Sequence, residues 1–193
     1  MKLTRRALLL SGAATTLPSW AKRFEDHDFA DEIQLGGSTL VLNGTGLFSK
    51  FGFRGYLTAL YLSRKADTAE AVFANAGPKR IQMRMLMGVG VEELIKPIHK
   101  GVARNCTPEE QQLIAARLPA LIHNIELVGK LRKGDLINMD HVPQQGTQLS
   151  VNGKAFGAPA PGNEPMLALL KVFLGAKPTN DRLKAGMLDQ PIP

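Results

Sequence analysis

The chain is 193 residues long with a formal charge of +7, and Cys106 is its one cysteine. A single thiol excludes an intrachain disulfide, a CxxC redox pair and a cysteine-rich metal site. The basic residues are dispersed, with only short clusters at Lys79-Arg80 and Lys130 to Lys133, which speaks against a nucleic-acid surface.

The first 21 residues, MKLTRRALLLSGAATTLPSWA, read as an export signal. Lys2, Arg5 and Arg6 form a basic head, Ala7 to Leu17 an apolar middle and Ser19-Trp20-Ala21 a small-residue cleavage site. The middle is shorter than the about 20 apolar residues that cross a bilayer. Paired arginines after Thr4 point to the twin-arginine route, which exports folded proteins, with an ordinary Sec signal or an uncleaved anchor as alternatives. The expected location is the periplasm, or another site of bacterial export. Beyond this segment stand all 17 acidic and all but three of the 24 basic residues, a balance of +4. That balance suits an anionic small ligand or a membrane surface, on a chain long enough for one domain with a sizeable core.

Residues 22–31 form a polar lead-in around Glu25-Asp26-His27-Asp28, consecutive groups that no second cluster completes into a metal shell. Ile33 to Leu35 and Ser38 to Leu42 flank Gly36-Gly37 and predict a hairpin. Asn43-Gly44-Thr45-Gly46 predicts a tight turn. From Phe51 to Leu62 a long strand is expected, with Phe51, Phe53, Gly55, Leu57, Ala59 and Tyr61 on one parity and Arg54, Tyr56, Thr58, Leu60 and Leu62 on the other. Both faces turn apolar, so the strand is central, and the polar atoms of Arg54, Tyr56 and Thr58 need partners or a ligand.

Asp67 to Ala76 predicts a short capped helix, and Lys79 to Met87 a strand with Ile81, Met83, Met85 and Met87 on one face. A helix over Val91 to Asn105 carries the stripe Leu94, Ile95, Ile98 and Val102, with a kink expected at Pro97. Thr107 and Glu110 have the capping-box spacing and open a second helix whose buried side is Leu113, Ile114, Leu118, Leu121, Ile122 and Ile125, with a bend or break at Pro119. Gly134 to His141, Thr147 to Asn152 and Lys154 to Gly157 alternate as strands around Asn152-Gly153, and residues 157–162 read as a loop. Asn163 to Leu174 and a short segment after Thr179 close the chain as helices. Strands, two central helices, a further hairpin and two terminal helices give an α+β fold with a mainly antiparallel sheet.

Cys106 lacks a local base or cation and reads as a buried small residue rather than a nucleophile. His99, His123 and His141 have no metal-ligand spacing and read as solvated helix and turn residues.

The order of these pieces resembles the chalcone isomerase fold family over nearly the whole chain from Glu32 to Leu188. The resemblance is clearest in LNGTGLFSKFGFRGYLTALYLS at 42–63, EELIKPIHKGVARNC at 92–106, RKGDLINMD at 132–140, LSVNGKAFG at 149–157 and FLGAKPTNDRLKAGMLD at 173–189. Together these resemble the family's bacterial exported branch. The resemblance implies an open-faced β-sandwich, a large antiparallel sheet layered with helices around an apolar cleft. Plant members include isomerases that close a chalcone by intramolecular addition of a phenolate, and relatives that bind fatty acids without catalysis.

In the isomerases an arginine just past the glycine turn steadies the anionic substrate, as a water-poor cleft requires; here Phe48 stands there. Their helix carries a tyrosine and, two turns on, an asparagine, where this chain has Ile98 and Asn105. Tyr56 falls near their strand threonine. The resemblance therefore implies a non-catalytic protein that needs no cofactor and holds an apolar small molecule or fatty acid between Tyr56, Thr58 and Leu60 of the sheet and Leu94, Ile98 and Val102 of the helix. Lys50 or Arg54 would meet a carboxylate, Arg being the better bidentate partner. One alternative is an isomerase, acting as an intramolecular lyase on a chalcone-like or other enone substrate with Lys50 or Arg54 as cation and Tyr56 as proton donor. The other is an envelope protein-interaction module.

Overall fold

The computed structural model describes residues 21–192. The expected export signal lies outside the described residues except for Ala21, which opens the first strand. Eleven strands and five helices follow in the order β1 (Ala21–Phe24), β2 (His27–Ala30), β3 (Glu32–Leu35), β4 (Ser38–Lys50), β5 (Phe53–Leu62), α1 (Ala69–Ala74), β6 (Lys79–Met85), β7 (Val89–Gly90), α2 (Glu92–Asn105), α3 (Pro108–Glu126), β8 (Lys130–Leu131), β9 (Leu136–Val142), β10 (Gly146–Val151), β11 (Lys154–Ala160), α4 (Glu164–Leu174) and α5 (Asp181–Met187).

Seven of the strands make one antiparallel sheet in the order β11-β10-β9-β6-β5-β4-β3. Period-two patterning sets its two faces. On the inner face Tyr56, Thr58 and Leu60 of β5 stand beside Met85, Met83 and Ile81 of β6, and Ile137 and Met139 of β9 follow. All of these are buried, the apolar ones in the main core with α2, α3 and α4. On the outer face Leu57, Ala59 and Tyr61 join Leu40 and Leu42 of β4 under Phe29 of β2. Beyond that cluster the outer face is polar. Arg80 donates to both carboxylate oxygens of Asp140 at 2.5 and 2.6 Å, and Gln82 donates to Asn138 at 2.9 Å. The architecture is thus α+β, with one large antiparallel sheet layered with helices on its inner face.

Three expectations are corrected. Asn43-Gly44-Thr45-Gly46 is not a turn but the middle of β4, and the chain reverses at Phe51-Gly52, both at positive φ. The glycines serve close packing instead: a Cβ on Gly44 would lie 2.2 Å from the Gly186 carbonyl oxygen of α5, and one on Gly46 would lie 2.7 Å from that of Leu183. The polar lead-in is a hairpin of β1 and β2, closed through Glu25 and Asp26 in left-handed conformations, and it seats Phe29 on the sheet. Most of the predicted loop 157–162 belongs to β11, which runs to Ala160. Pro159 is tolerated because β11 is an edge strand, where a missing N–H breaks no ladder bond.

Between β6 and β9, neighbours in the sheet, the chain makes its excursion through α2 and α3. Thr107 caps α3 by accepting from the Glu110 N–H at 3.2 Å, while the Glu110 carboxylate accepts from the Thr107 N–H at 3.0 Å. The helix then runs unbroken through Pro119. α4 is buried over most of its length and packs against both α2 and α3, which touch each other sparsely. Lys171 of α4 pairs with Glu110 of α3 at 3.0 Å and fixes that spacing.

Candidate functional site

Of the six residues expected to line the cleft, Tyr56 and Ile98 are buried in the main core between sheet and helices, and Thr58 is buried on the same face of β5 as Tyr56. The Tyr56 ring stacks on Phe48, its cross-strand partner, with centroids 4.7 Å apart and an interplanar angle of 7°. Burial raises the Tyr56 hydroxyl well above its ordinary pKa, so it is a poor proton donor at neutral pH. Thr58 is fully buried and its hydroxyl oxygen has no hydrogen-bond partner among the described residues. A buried hydroxyl without a partner costs free energy, which marks Thr58 as a position packing alone does not explain. A second unpartnered polar atom, Nε of Arg84, lies on the opposite face of the sheet.

The other three are elsewhere. Lys50 and Arg54 are exposed at the end of the β4–β5 hairpin; Arg54 pairs with Glu25 in the β1–β2 turn, and the Lys50 ammonium lies 5.3 Å from the centre of the Phe51 ring. Neither cation enters the core with Tyr56. Asn105 is a tether: its amide donates to the carbonyls of Gly101 and Lys177, both at 3.0 Å, and accepts from the Lys177 N–H at 2.7 Å. Those bonds join the end of α2 to the link after α4 and leave the side chain little capacity for a ligand. Cys106 is half-buried rather than buried, and desolvation together with the nearby Glu110 raises its thiol pKa, which disfavours the thiolate.

Tyr56, Leu60, Ile98 and Val102 of the expected cleft are buried in the main core, with Leu94 packed against it. Beside them, between the sheet residues Ile137, Met139 and Leu149 and the residues Val91, Leu94 and Ile125 at the ends of α2 and α3, lies a void of about 10 Å³. The open space lies one layer further out, where a groove of about 550 Å³ runs between α2 and α3. Buried Val102, Ile114 and Leu118 form its floor, and exposed His99, His123 and Glu126 stand on its rim. Pro119 also lines it, and having no N–H it leaves the carbonyl of Ala115, another lining residue, without the usual helical donor. The volume falls within the range of small-molecule pockets.

Val102 belonged to the expected cleft and is shared; the rest of the groove was missed. The available signal was a second stripe on α3, Gln111, Ala115, Leu118, Ile122 and Glu126, beside the core stripe Ile114, Leu121 and Ile125. An apolar arc that wide exceeds what one packing partner covers. His141, expected to be solvated, is instead buried on β9 and hydrogen-bonds Thr147 at 3.2 Å.

A family model described as chalcone isomerase-like matches residues 21–189. Among solved structures, a fatty-acid-binding protein of Arabidopsis thaliana is similar with a TM-score of 0.59 at 15% identity, the alignment covering 89% of this chain and 96% of that one. No curated protein sequence matches the chain.

Proposed function

The chain belongs to the chalcone isomerase-like family, and from that premise we propose that it is a non-catalytic carrier of an elongated apolar molecule, a fatty acid or similar acyl chain, exported by its leading segment. The observation that carries the proposal is the groove of about 550 Å³ between α2 and α3, with its apolar floor of Val102, Ile114 and Leu118. An alkyl chain laid along that floor leaves bulk water on one side, and polar groups on the rim remain to orient its head. The similar plant structure is described as a fatty-acid-binding protein, which agrees in ligand class. The isomerase alternative has lost its expected cation: Arg54 is engaged by Glu25, Lys50 is at the hairpin end, and Phe48 covers one face of Tyr56.

Organic extraction of the purified protein followed by mass spectrometry, with titration of a fluorescent long-chain fatty acid, tests the reading. Ala115→Trp places a large side chain at an exposed position of the groove wall without touching the core, and should weaken binding by at least about tenfold. Binding that ignores Ala115→Trp but is lost in Tyr56→Phe would move the ligand to the sheet face. A clean extract and a flat titration would end the carrier reading.

A further inference from the structure

The β4–β5 hairpin carries an exposed apolar tip that neither the fold nor the groove uses. Phe51 is 88% exposed and Phe53 71%. They flank Gly52 in a two-residue turn in which Phe51 has φ 51° and Gly52 φ 80°. Both central residues of such a turn need positive φ, which favours Asn-Gly and penalises a bulky side chain at the first position. The chain thus keeps a strained, almost wholly solvated phenylalanine where asparagine would serve the fold better.

The tip also overhangs its neighbour. β6 pairs with β5 only as far as Tyr56↔Met85, followed by a bond from the Leu86 N–H to the Gly55 carbonyl at 2.9 Å, so residues 51–54 extend past the edge of β6. The loops beside it add to the same surface. Met87, 40% exposed, follows Leu86, and the Gly134 N–H donates to the Met85 carbonyl at 2.8 Å, which brings exposed Arg132 and Lys133 to this end of the sheet. Lys50, Arg132 and Lys133 have no carboxylate within ion-pair distance among the described residues, while Arg54 is neutralised by Glu25. Three exposed apolar side chains therefore share this end of the sheet with exposed Lys50 and Lys133, which have no ion pair among the described residues, and with Arg132, whose charge also acts on the neighbouring Asp135 carboxylate.

We propose that this tip docks on an anionic lipid bilayer, with Phe51 and Phe53 at the boundary between headgroups and acyl chains and Lys50, Arg132 and Lys133 against lipid phosphates. Aromatic rings favour that depth, and basic residues at the surface add attraction to anionic headgroups. A lipid surface fits better than a folded partner because the apolar part is a narrow projection rather than a face, and a bilayer accepts a projection without a shaped pocket.

The test uses the full chain with Phe51→Trp in a Trp20→Phe background, so that the reporter sits at the tip and contacts made by the leading segment stay silent. Vesicles of phosphatidylglycerol and phosphatidylcholine should shift the emission to the blue, and brominated acyl chains should quench it. Pure phosphatidylcholine vesicles, or Lys50→Glu with Arg132→Glu and Lys133→Glu, should raise the lipid concentration needed by roughly a hundredfold. In the native-tip chain, Phe51→Asn should reduce vesicle flotation while raising resistance to urea, because it removes an anchor and relieves the turn together; a structural role for Phe51 would lower both. Emission unchanged by anionic vesicles overturns the proposal, as does insertion indifferent to lipid charge. A blue shift that grows with protein concentration in the absence of lipid overturns it in favour of self-association.

Discussion

His141 of β9 faces Lys79 of β6 in register, so two basic side chains share one buried patch of the inner sheet face. Lys79 keeps acceptors there, donating to the carbonyls of Asn75 at 2.6 Å and Gly77 at 3.1 Å. Burial, and then the Lys79 charge, lower the imidazole pKa, partly opposed by a hydrogen bond with Asn163. The sign follows from linkage. Above pH 6.5, the ordinary histidine value, the ring is neutral folded and unfolded; below it the unfolded chain takes up a proton that the folded chain refuses. Stability should therefore fall between pH 6.5 and 5, before the carboxylates of Glu110, Asp135 and Asp189, all held below their ordinary pKa, begin to titrate. Urea midpoints at pH 7.5 and 5.5 should separate in the native chain and draw together in His141→Gln; an equal separation in both would assign the effect to another group. Local pattern predicts His141 at a strand end and solvated, because it gives the strand but not the helices that cover its face.

Among the elements, the pairing of β4 with α5 shows where local reading stops. Alternation in β5, β6, β9 and β10 was legible because a period of two is written along each strand, and the turns at Gly36-Gly37 and Asn152-Gly153 because their residues carry the positive φ. Asn43 to Gly46 has the same composition for a different reason: backbone meets backbone with a segment about 140 residues away. A Cβ on Gly186 would lie 2.3 Å from the Thr45 carbonyl oxygen, and Asn43 donates to the Met187 carbonyl at 2.8 Å. No periodicity announces that contact. Gly44→Ala should push α5 off the strand and cost about 1–3 kcal/mol in urea unfolding, and Gly186→Ala should cost a similar amount. Since both enlarge the same gap, the double variant should lose less than the sum. Additive losses would mean that the helix does not move as a body.

For the whole molecule, the groove depends on a distance that no segment encodes alone. α4, inserted late in the sequence and buried along most of its length, packs against α2 and α3 and keeps them apart, so the hollow opens between those helices and not against the sheet. Leu94, Ile98 and Val102 form the predicted apolar stripe and pack into the main core, while the open surface is the flank of α2 turned toward α3, with His99, Val102 and Ala103. A ligand that enters the groove binds the folded chain alone, because the unfolded chain has no α2–α3 spacing to offer. At a hundredfold excess over its dissociation constant it should add about 2.7 kcal/mol of stability, a rise of roughly 5 to 10 °C in Tm for a domain of this size. Thermal unfolding of delipidated protein with and without a long-chain fatty acid reads that shift directly. Ala115→Trp should cut the shift to about half or less while leaving the ligand-free Tm within a degree or two of the native chain, because Ala115 is exposed and its replacement enters no core contact. A Tm that the fatty acid fails to move in the native chain would show that the groove is present but does not select the acyl chain, and the shape that α4 imposes on its neighbours would then serve packing alone.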